Sequence, residues 1–248
     1  MLRIEGTPAK YTVCNTKAFV YLTSFTNLKS MSVAARPRVK ICCISSLDEA
    51  RAAIRHGASA LGLVSAMPSG PGPISEDLIR EIAAQVPPPI ATFLLTSSQD
   101  ADEIIAQQRR CRTNTLQLVD SLMSGSYEDL RRALPGIAIV QVIHVISEAS
   151  VEEALAVAPR VDALLLDSGN PSLPIKELGG TGRTHDWALS RRICDEAAVP
   201  VFLAGGLTSE NAAEAVRQVQ PFGLDLCSGV RTNGHLDAGK LAQFMAQV

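Results

Sequence analysis

Aromatic residues make up only 4% of this chain, with a single tryptophan. A surface that stacks unpaired bases needs several such rings, so single-stranded nucleic-acid binding is not expected. Charge of one sign is missing too: 23 Lys and Arg stand against 25 Asp and Glu, a formal net charge of -2. Without a basic balance or a run of like charges, no nucleic-acid partner is indicated. No apolar stretch is long enough to cross a bilayer, so no membrane partner is expected either. The six cysteines, at 14, 42, 43, 111, 194 and 227, include no CxxC pair, and the histidines do not cluster. This is neither a zinc pattern nor a dense disulfide framework. Reduced thiols, no metal, and a cytoplasmic or organellar-matrix setting are the plainer expectation.

Residues 1–37 stand apart from the rest. They are rich in Thr, Ser, Lys and Arg, and Glu5 is their only acid. Such a composition suits an organellar transit segment, or a leader that is not translated if Met31 is the true start. This N-terminal extension is therefore set apart from the folded domain expected over 38–248.

What is present is apolar sequence in an ordered alternation, with hydrophobic residues at 46% of the chain. Short β-rich runs occur at 39–44, 60–65, 90–96, 115–120, 138–145, 163–168, 201–206 and 224–229. They are apolar almost throughout, as parallel strands covered on both faces require. Between them lie amphipathic helical stretches. In the first, Ser46 is placed to cap the start and Gly57 to stop the end; Asp186 and Ser209 are placed to cap the sixth and seventh. Eight strand–helix units in strict alternation describe an α/β fold, a single closed (β/α)₈ barrel. An open doubly wound sheet is the competing arrangement, since pattern alone does not prove closure.

A barrel of this kind carries its chemistry at the C-terminal ends of its strands. The seventh and eighth runs end in "LAGGL" (203–207) and "CSGV" (227–230), where glycine lets backbone N–H groups approach an anion. Together they point to phosphate binding at Gly205, Gly206, Ser228 and Gly229; taken singly, either loop reads as a tight turn. The sixth run ends at Asp167 and leads into a long connection containing "GGTG" (179–182), in which Gly180 and Gly182 could fold over a ligand. The first run, "RVKICCIS", sets Lys40 and Cys42 on one face of a strand and Ile41 and Cys43 on the other. A thiolate at Cys42 and a carboxylic acid at Asp167 in one polar pocket would make a base and acid pair. Lys40, one pleat below, is placed to favour the thiolate if it shares the interior. The alternatives are inert packing for the cysteine and an amide-capping carboxylate for the aspartate.

The motifs "VKICCI", "GASALGLVSA", "LLLDS", "GGTGRTHDW", "LAGGLTSENAAEAV" and "DLCSGV" together resemble the phosphoribosylanthranilate isomerase family of tryptophan biosynthesis. The resemblance runs in order from about Arg38 to the C-terminus. It implies a barrel needing no cofactor, acting on a small phosphosugar as a monomer or homodimer. The reaction implied is an Amadori rearrangement, converting an N-phosphoribosyl amine to a 1-deoxyribulose amine. By position Cys42 matches the family's base and Asp167 its acid. Gly205, Gly206, Ser228 and Gly229 match the phosphate turns, while Gly180 and Gly182 match the substrate loop. Cys43 stands where the family usually has glycine, which makes it a packing substitution.

The chain also departs from the family pattern. An arginine in a stretch like "SPRYVSPE" holds the anthranilate carboxylate in the family, whereas "AMPSGPGPISED" (66–77) has no cation. Val119 replaces a histidine after the fourth strand, Asp120 follows it as a charge that would repel an anionic aglycone, and His144 stands for a lysine. Either Arg183 or Arg80 takes over the carboxylate, or the aglycone differs, or the barrel only senses a phosphosugar. Another phosphate-binding barrel, such as a thiamine-phosphate or indole-glycerol-phosphate synthase, is a further alternative. The second of these would call for lysine and glutamate at several strand ends.

Overall fold

The computed structural model describes residues 36–248, apart from 171 and 181. The expectation for residues 1–37 lies outside the described residues, save its last two. Eight parallel strands close into a barrel in the order β1 to β8, with β8 returning to pair with β1. The open doubly wound sheet is thereby excluded. The strands are β1 (Arg38–Ile41), β2 (Ala60–Val64), β3 (Ala91–Thr96) and β4 (Thr115–Leu118). They continue as β5 (Ala138–His144), β6 (Ala163–Asp167), β7 (Val201–Leu203) and β8 (Gly223–Leu226). All eight fall within the expected runs or one residue outside them. Several end sooner, because the last residues of each run leave the ladder to form the mouth of the barrel.

Closure follows from the two-residue repeat of each strand. Phe93, Leu95, Val140, Val142, Leu165 and Phe202 point inward and form one buried cluster. Leu94, Ile139, Ile143, Leu164, Leu166 and Leu203 point outward into a second, larger cluster under the helices. Both faces are apolar, so the strands have no solvent side to alternate against. Phe93 and Phe202 meet edge to face at 6.1 Å, filling the lower barrel.

Six of the eight α-helices among the described residues begin on a side-chain cap. Ser46 accepts the Glu49 amide at the start of α1 (Leu47–Arg55), and Gly57 turns the chain beyond its end with φ +96°. Asp186 accepts the Ala188 amide ahead of the sixth helix (Trp187–Glu196). The expected cap at Ser209 is corrected: the seventh helix (Ala212–Val219) starts from Asn211. The Asn211 side chain accepts the Thr208 amide and donates to the Gly206 carbonyl, so this turn is held by its last residue. A short hairpin, β9 (Arg231–Thr232) with β10 (His235–Leu236), follows the eighth barrel strand.

Candidate active site

The C-terminal ends of the strands surround a cleft lined by Cys42, Asp167, Gly205, Gly206 and Ser228 among others. Two loops meet at it. The Ser69 hydroxyl donates to the Lys176 carbonyl at 2.5 Å, and Gly180 packs so closely on Pro71 that a Cβ there would lie 2.5 Å from the ring. The connection after β6 therefore covers the cleft by resting on the connection after β2, and brings Gly179, Gly180 and Gly182 to its wall.

Cys42 follows the last residue of β1 and is buried, with its thiol beside the backbone of Gly62 on β2. A side chain at Gly62 would reach within 2.8 Å of the Cys42 Sγ and 3.0 Å of the Lys40 Nζ, so all three share one small space. Lys40 thus does face the interior, where it is fully buried, lies 5.2 Å from the Phe93 ring centre and pairs with Asp225 of β8 at 2.8 Å. The two residues are register partners across the β1–β8 seam. Burial works against the ammonium, but Asp225 and the neighbouring thiols outweigh it and hold Lys40 above its ordinary range.

The expectation that Cys43 faces the opposite layer is corrected. β1 ends at Ile41, and Cys43 sits in left-handed backbone with φ +61°, where strand alternation no longer applies. Its thiol turns into the cleft, 2.7 Å from the Cys227 Sγ and 3.5 Å from the Pro71 carbonyl. Arg231 fixes this bend: its guanidinium donates to the carbonyls of Cys42 at 3.2 Å and Cys43 at 2.5 Å. Glu49 of α1 holds Arg231 in turn at 3.0 Å and accepts the amides of Ser45 and Leu236.

Asp167 closes β6 and is buried, accepting the Ser168 amide at 2.8 Å. Burial is the largest influence on its carboxyl and lifts it above the usual range, against the opposing pull of the Ser168 amide and His144. Two strands, β7 and β8, lie between it and Cys42 around the barrel. Gly205 and Gly206 form the turn after β7 at φ +84° and +61°, conformations that a side chain resists. A Cβ on Gly206 would also lie 2.7 Å from the Arg183 backbone, so that turn carries the substrate-side loop. Ser228 lines the cleft, and its hydroxyl would lie 3.7 Å from a Cβ on Gly182. Gly229 is behind it, packed on the Leu207 carbonyl, and does not line the cleft.

A barrel whose first, sixth, seventh and eighth strands deliver these groups can be compared with known proteins. The sequence profile described as N-(5'phosphoribosyl)anthranilate (PRA) isomerase matches residues 39–247. A relative from Methanosarcina mazei, named N-(5'-phosphoribosyl)anthranilate isomerase 2, is 36% identical over 210 residues, covering 84% of this chain and 92% of its own. A relative from Thermosynechococcus vestitus, named N-(5'-phosphoribosyl)anthranilate isomerase, is 33% identical over 218 residues, covering 88% of this chain and 92% of its own. The chain belongs to the phosphoribosylanthranilate isomerase family. Among solved structures, the family member from Thermotoga maritima superposes with a TM-score of 0.71 at 29% identity, covering 85% of this chain and 98% of that one. A second structure, at 27% identity and TM-score 0.69 over 85% and 97% of the two chains, holds reduced 1-(o-carboxyphenylamino)-1-deoxyribulose 5-phosphate. A third concerns monomers derived from a dimeric Thermotoga maritima enzyme.

Val64, Met67, Leu95, Val119 and Leu178 form an apolar wall of the cleft, and among the described lining residues the charged ones are Asp167 and Asp225. Neither Arg80 nor Arg183 lines the cleft. Arg80 is paired with Asp77 on the outer face of α2 (Glu76–Gln85), and Arg183 pairs with Glu177. Asp120 is not the bare negative charge expected from the sequence, because Lys176 reaches back to pair with it. Lys176, Asp225 and Arg231 went unnoticed in the sequence. For Asp225 there was a signal: a lone acid and a lone lysine, each in an otherwise apolar strand, have every reason to pair.

Proposed function

We propose that the protein carries out the Amadori rearrangement of N-(5'-phosphoribosyl)anthranilate, with Asp167 as the general acid and Cys42 as the general base. Asp167 gives its proton to the ribose ring oxygen, the C1–O bond breaks, and the open chain forms as a Schiff base. Cys42, as thiolate, removes the C2 proton to give the enolamine, which tautomerises to the ketone. The observation that carries this reading is the convergence of Cys42 and Asp167 on one cleft whose rim holds Gly205, Gly206 and Ser228. A raised carboxyl suits Asp167 to hold a proton until the ring oxygen needs it. Gly205, Gly206 and Ser228 take the phosphate, with Gly229 supporting the turn from behind, while Gly180 and Gly182 cover the sugar. The apolar wall from Val64 to Leu178 receives the aromatic ring.

The test is the conversion itself, run in deuterated water and followed by NMR. The expected product is the 1-deoxyribulose amine carrying deuterium at C1, formed by the wild type and not by Cys42→Ala or Asp167→Asn. Phosphate-ligand affinity should persist in both variants, because neither touches the phosphate turns. Near-normal conversion by either variant refutes the role given to that residue.

One observation favours a second reading. No lysine or arginine is among the described residues lining the cleft, so nothing there offers the bidentate grip that a carboxylate prefers. A paralogue acting on a phosphoribosyl amine with a neutral aglycone would need no such partner. Comparing kcat/KM for the anthranilate substrate and its carboxamide separates the two. The expected isomerase role matches the protein to the cytoplasm, or to an organellar matrix if residues 1–37 are a transit segment, as a monomer or homodimer.

A further inference from the structure

We propose that Cys43 and Cys227 are a reversible disulfide-forming pair, oxidised by hydrogen peroxide, whose bond switches off turnover at the adjacent cleft. The two sulfurs are 2.7 Å apart and both are free thiols, so a bond of about 2.05 Å needs only a small approach. Sequence separation does not matter to this contact: the residues follow the ends of β1 and β8, which are paired neighbours in the barrel. Both line the cleft, which gives a small oxidant its route to otherwise buried sulfur.

The placement of Cys43 strengthens the case. A side chain in left-handed backbone is disfavoured, yet this one is held there by Arg231 on the carbonyls of Cys42 and Cys43. The result is a thiol aimed at another thiol in a bend where a glycine would sit more easily. Cys227 is the less buried of the two and so the sulfur that an oxidant in the cleft reaches first. Its contact with the Cys43 thiol, with the charges of Arg231 and Lys40, holds the Cys227 thiol below the ordinary range against burial and Asp225. Cys43 is pushed up by its hydrogen bonds to the other two thiols and by burial, so it waits as the thiol partner.

The chemistry balances with one peroxide. The Cys227 thiolate attacks a peroxide oxygen, the O–O bond breaks, and a sulfenic acid forms as hydroxide leaves and is protonated to water. Cys43 then attacks that sulfur, the S–S bond forms, and the sulfenic oxygen leaves as a second water. Two electrons pass from sulfur to peroxide oxygen, and a dithiol reductant returns them. The bond would draw the turn bearing Ser228 toward β1 and the Cys42 thiol beside it. In a reducing compartment such a pair is transient, as befits a switch rather than a structural link.

The loss of turnover rests on the isomerase reading, whereas the bond itself does not, and mass mapping reads the bond alone. Full-length protein is treated with hydrogen peroxide, its remaining thiols are alkylated, and it is digested with trypsin. The expected product is ICCISSLDEAR (41–51) linked to QVQPFGLDLCSGVR (218–231), present in Cys42→Ala, absent in Cys43→Gly and lost on dithiothreitol treatment. Recovery of Cys43 and Cys227 as alkylated thiols, or a link that persists in Cys43→Gly, overturns the pairing. Turnover is expected to fall in the wild type, recover with dithiothreitol, and fall several-fold more slowly in Cys43→Gly. Equal rates of loss in the two proteins overturn the switch.

Discussion

Lys40→Met removes one half of the most deeply buried ion pair among the described residues and leaves Asp225 behind. Lys40 is 0% exposed and Asp225 8%, so water cannot replace the lost ammonium. The Oδ1 of Asp225 already has no hydrogen-bond partner, and the substitution would strand Oδ2 as well. Breaking one side of such a pair costs about 3–5 kcal/mol. For a domain of this size that is roughly a 6–20 °C fall in Tm. The sign of the pH dependence follows from Asp225, which burial already raises despite Lys40. Without the lysine its folded value rises further, so the folded state binds a proton that the unfolded state releases. The deficit is then largest at neutral pH and shrinks as pH falls through that raised value. Lys40→Met with Asp225→Leu should restore most of the stability, since a well-packed apolar replacement of a buried pair is often neutral. Thermal unfolding of the three proteins between pH 5 and 8 is the assay. A single variant as stable as wild type, or a double variant no better than the single one, would refute the argument.

Other perturbations probe the site and its acid limit. Asp167, raised by burial, must be protonated to act as the acid, so kcat should fall as pH rises through its value; in Asp167→Glu that limb should move, and an unmoved limb assigns it to another group. His185 is half-buried, and desolvation pushes its ring down to about 4, with its Nε2 2.6 Å from the Ser190 hydroxyl. Because the unfolded histidine takes its proton first, stability should decline as pH drops from about 6.5 to about 4, by at most about 3 kcal/mol. His185→Asn should flatten that decline in urea unfolding at both pH values. Pro71→Arg places a cation on the cleft wall and should lower KM for the anthranilate substrate roughly tenfold, the worth of one charged hydrogen bond at about 1.5 kcal/mol. Arginine at Gly72 would not serve, because its Cβ would lie 2.5 Å from that of Cys43.

The barrel was legible because its signal is repeated. Eight apolar runs, each followed by an amphipathic stretch, leave few arrangements that bury both faces of every strand. Capping was legible where the cap is the residue before the helix, as at Ser46 and Asp186, and failed at Ser209, where a glycine-led turn is tied by Asn211 instead. Cys42 and Asp167 could be read because strand ends in a barrel are pocket positions. The surroundings of Cys42 could not. Arg231 reaches the Cys42 and Cys43 carbonyls across nearly the full sequence of the domain, and Lys176 neutralises Asp120 from the middle of a long loop. Such contacts join elements that only closure of the sheet brings together. The bend at Cys43 is the sharpest case: alternation put its thiol in the outer layer, and one left-handed residue turned it inward.

The measurement closest to the central claim is turnover of freshly generated phosphoribosylanthranilate, followed by loss of substrate fluorescence, with wild type and Cys42→Ala compared at equal concentration. The account predicts turnover by the wild type that Cys42→Ala lacks, while both proteins keep the same affinity for a phosphosugar ligand. Turnover undiminished in Cys42→Ala, or none from a wild type that binds the ligand, would contradict it.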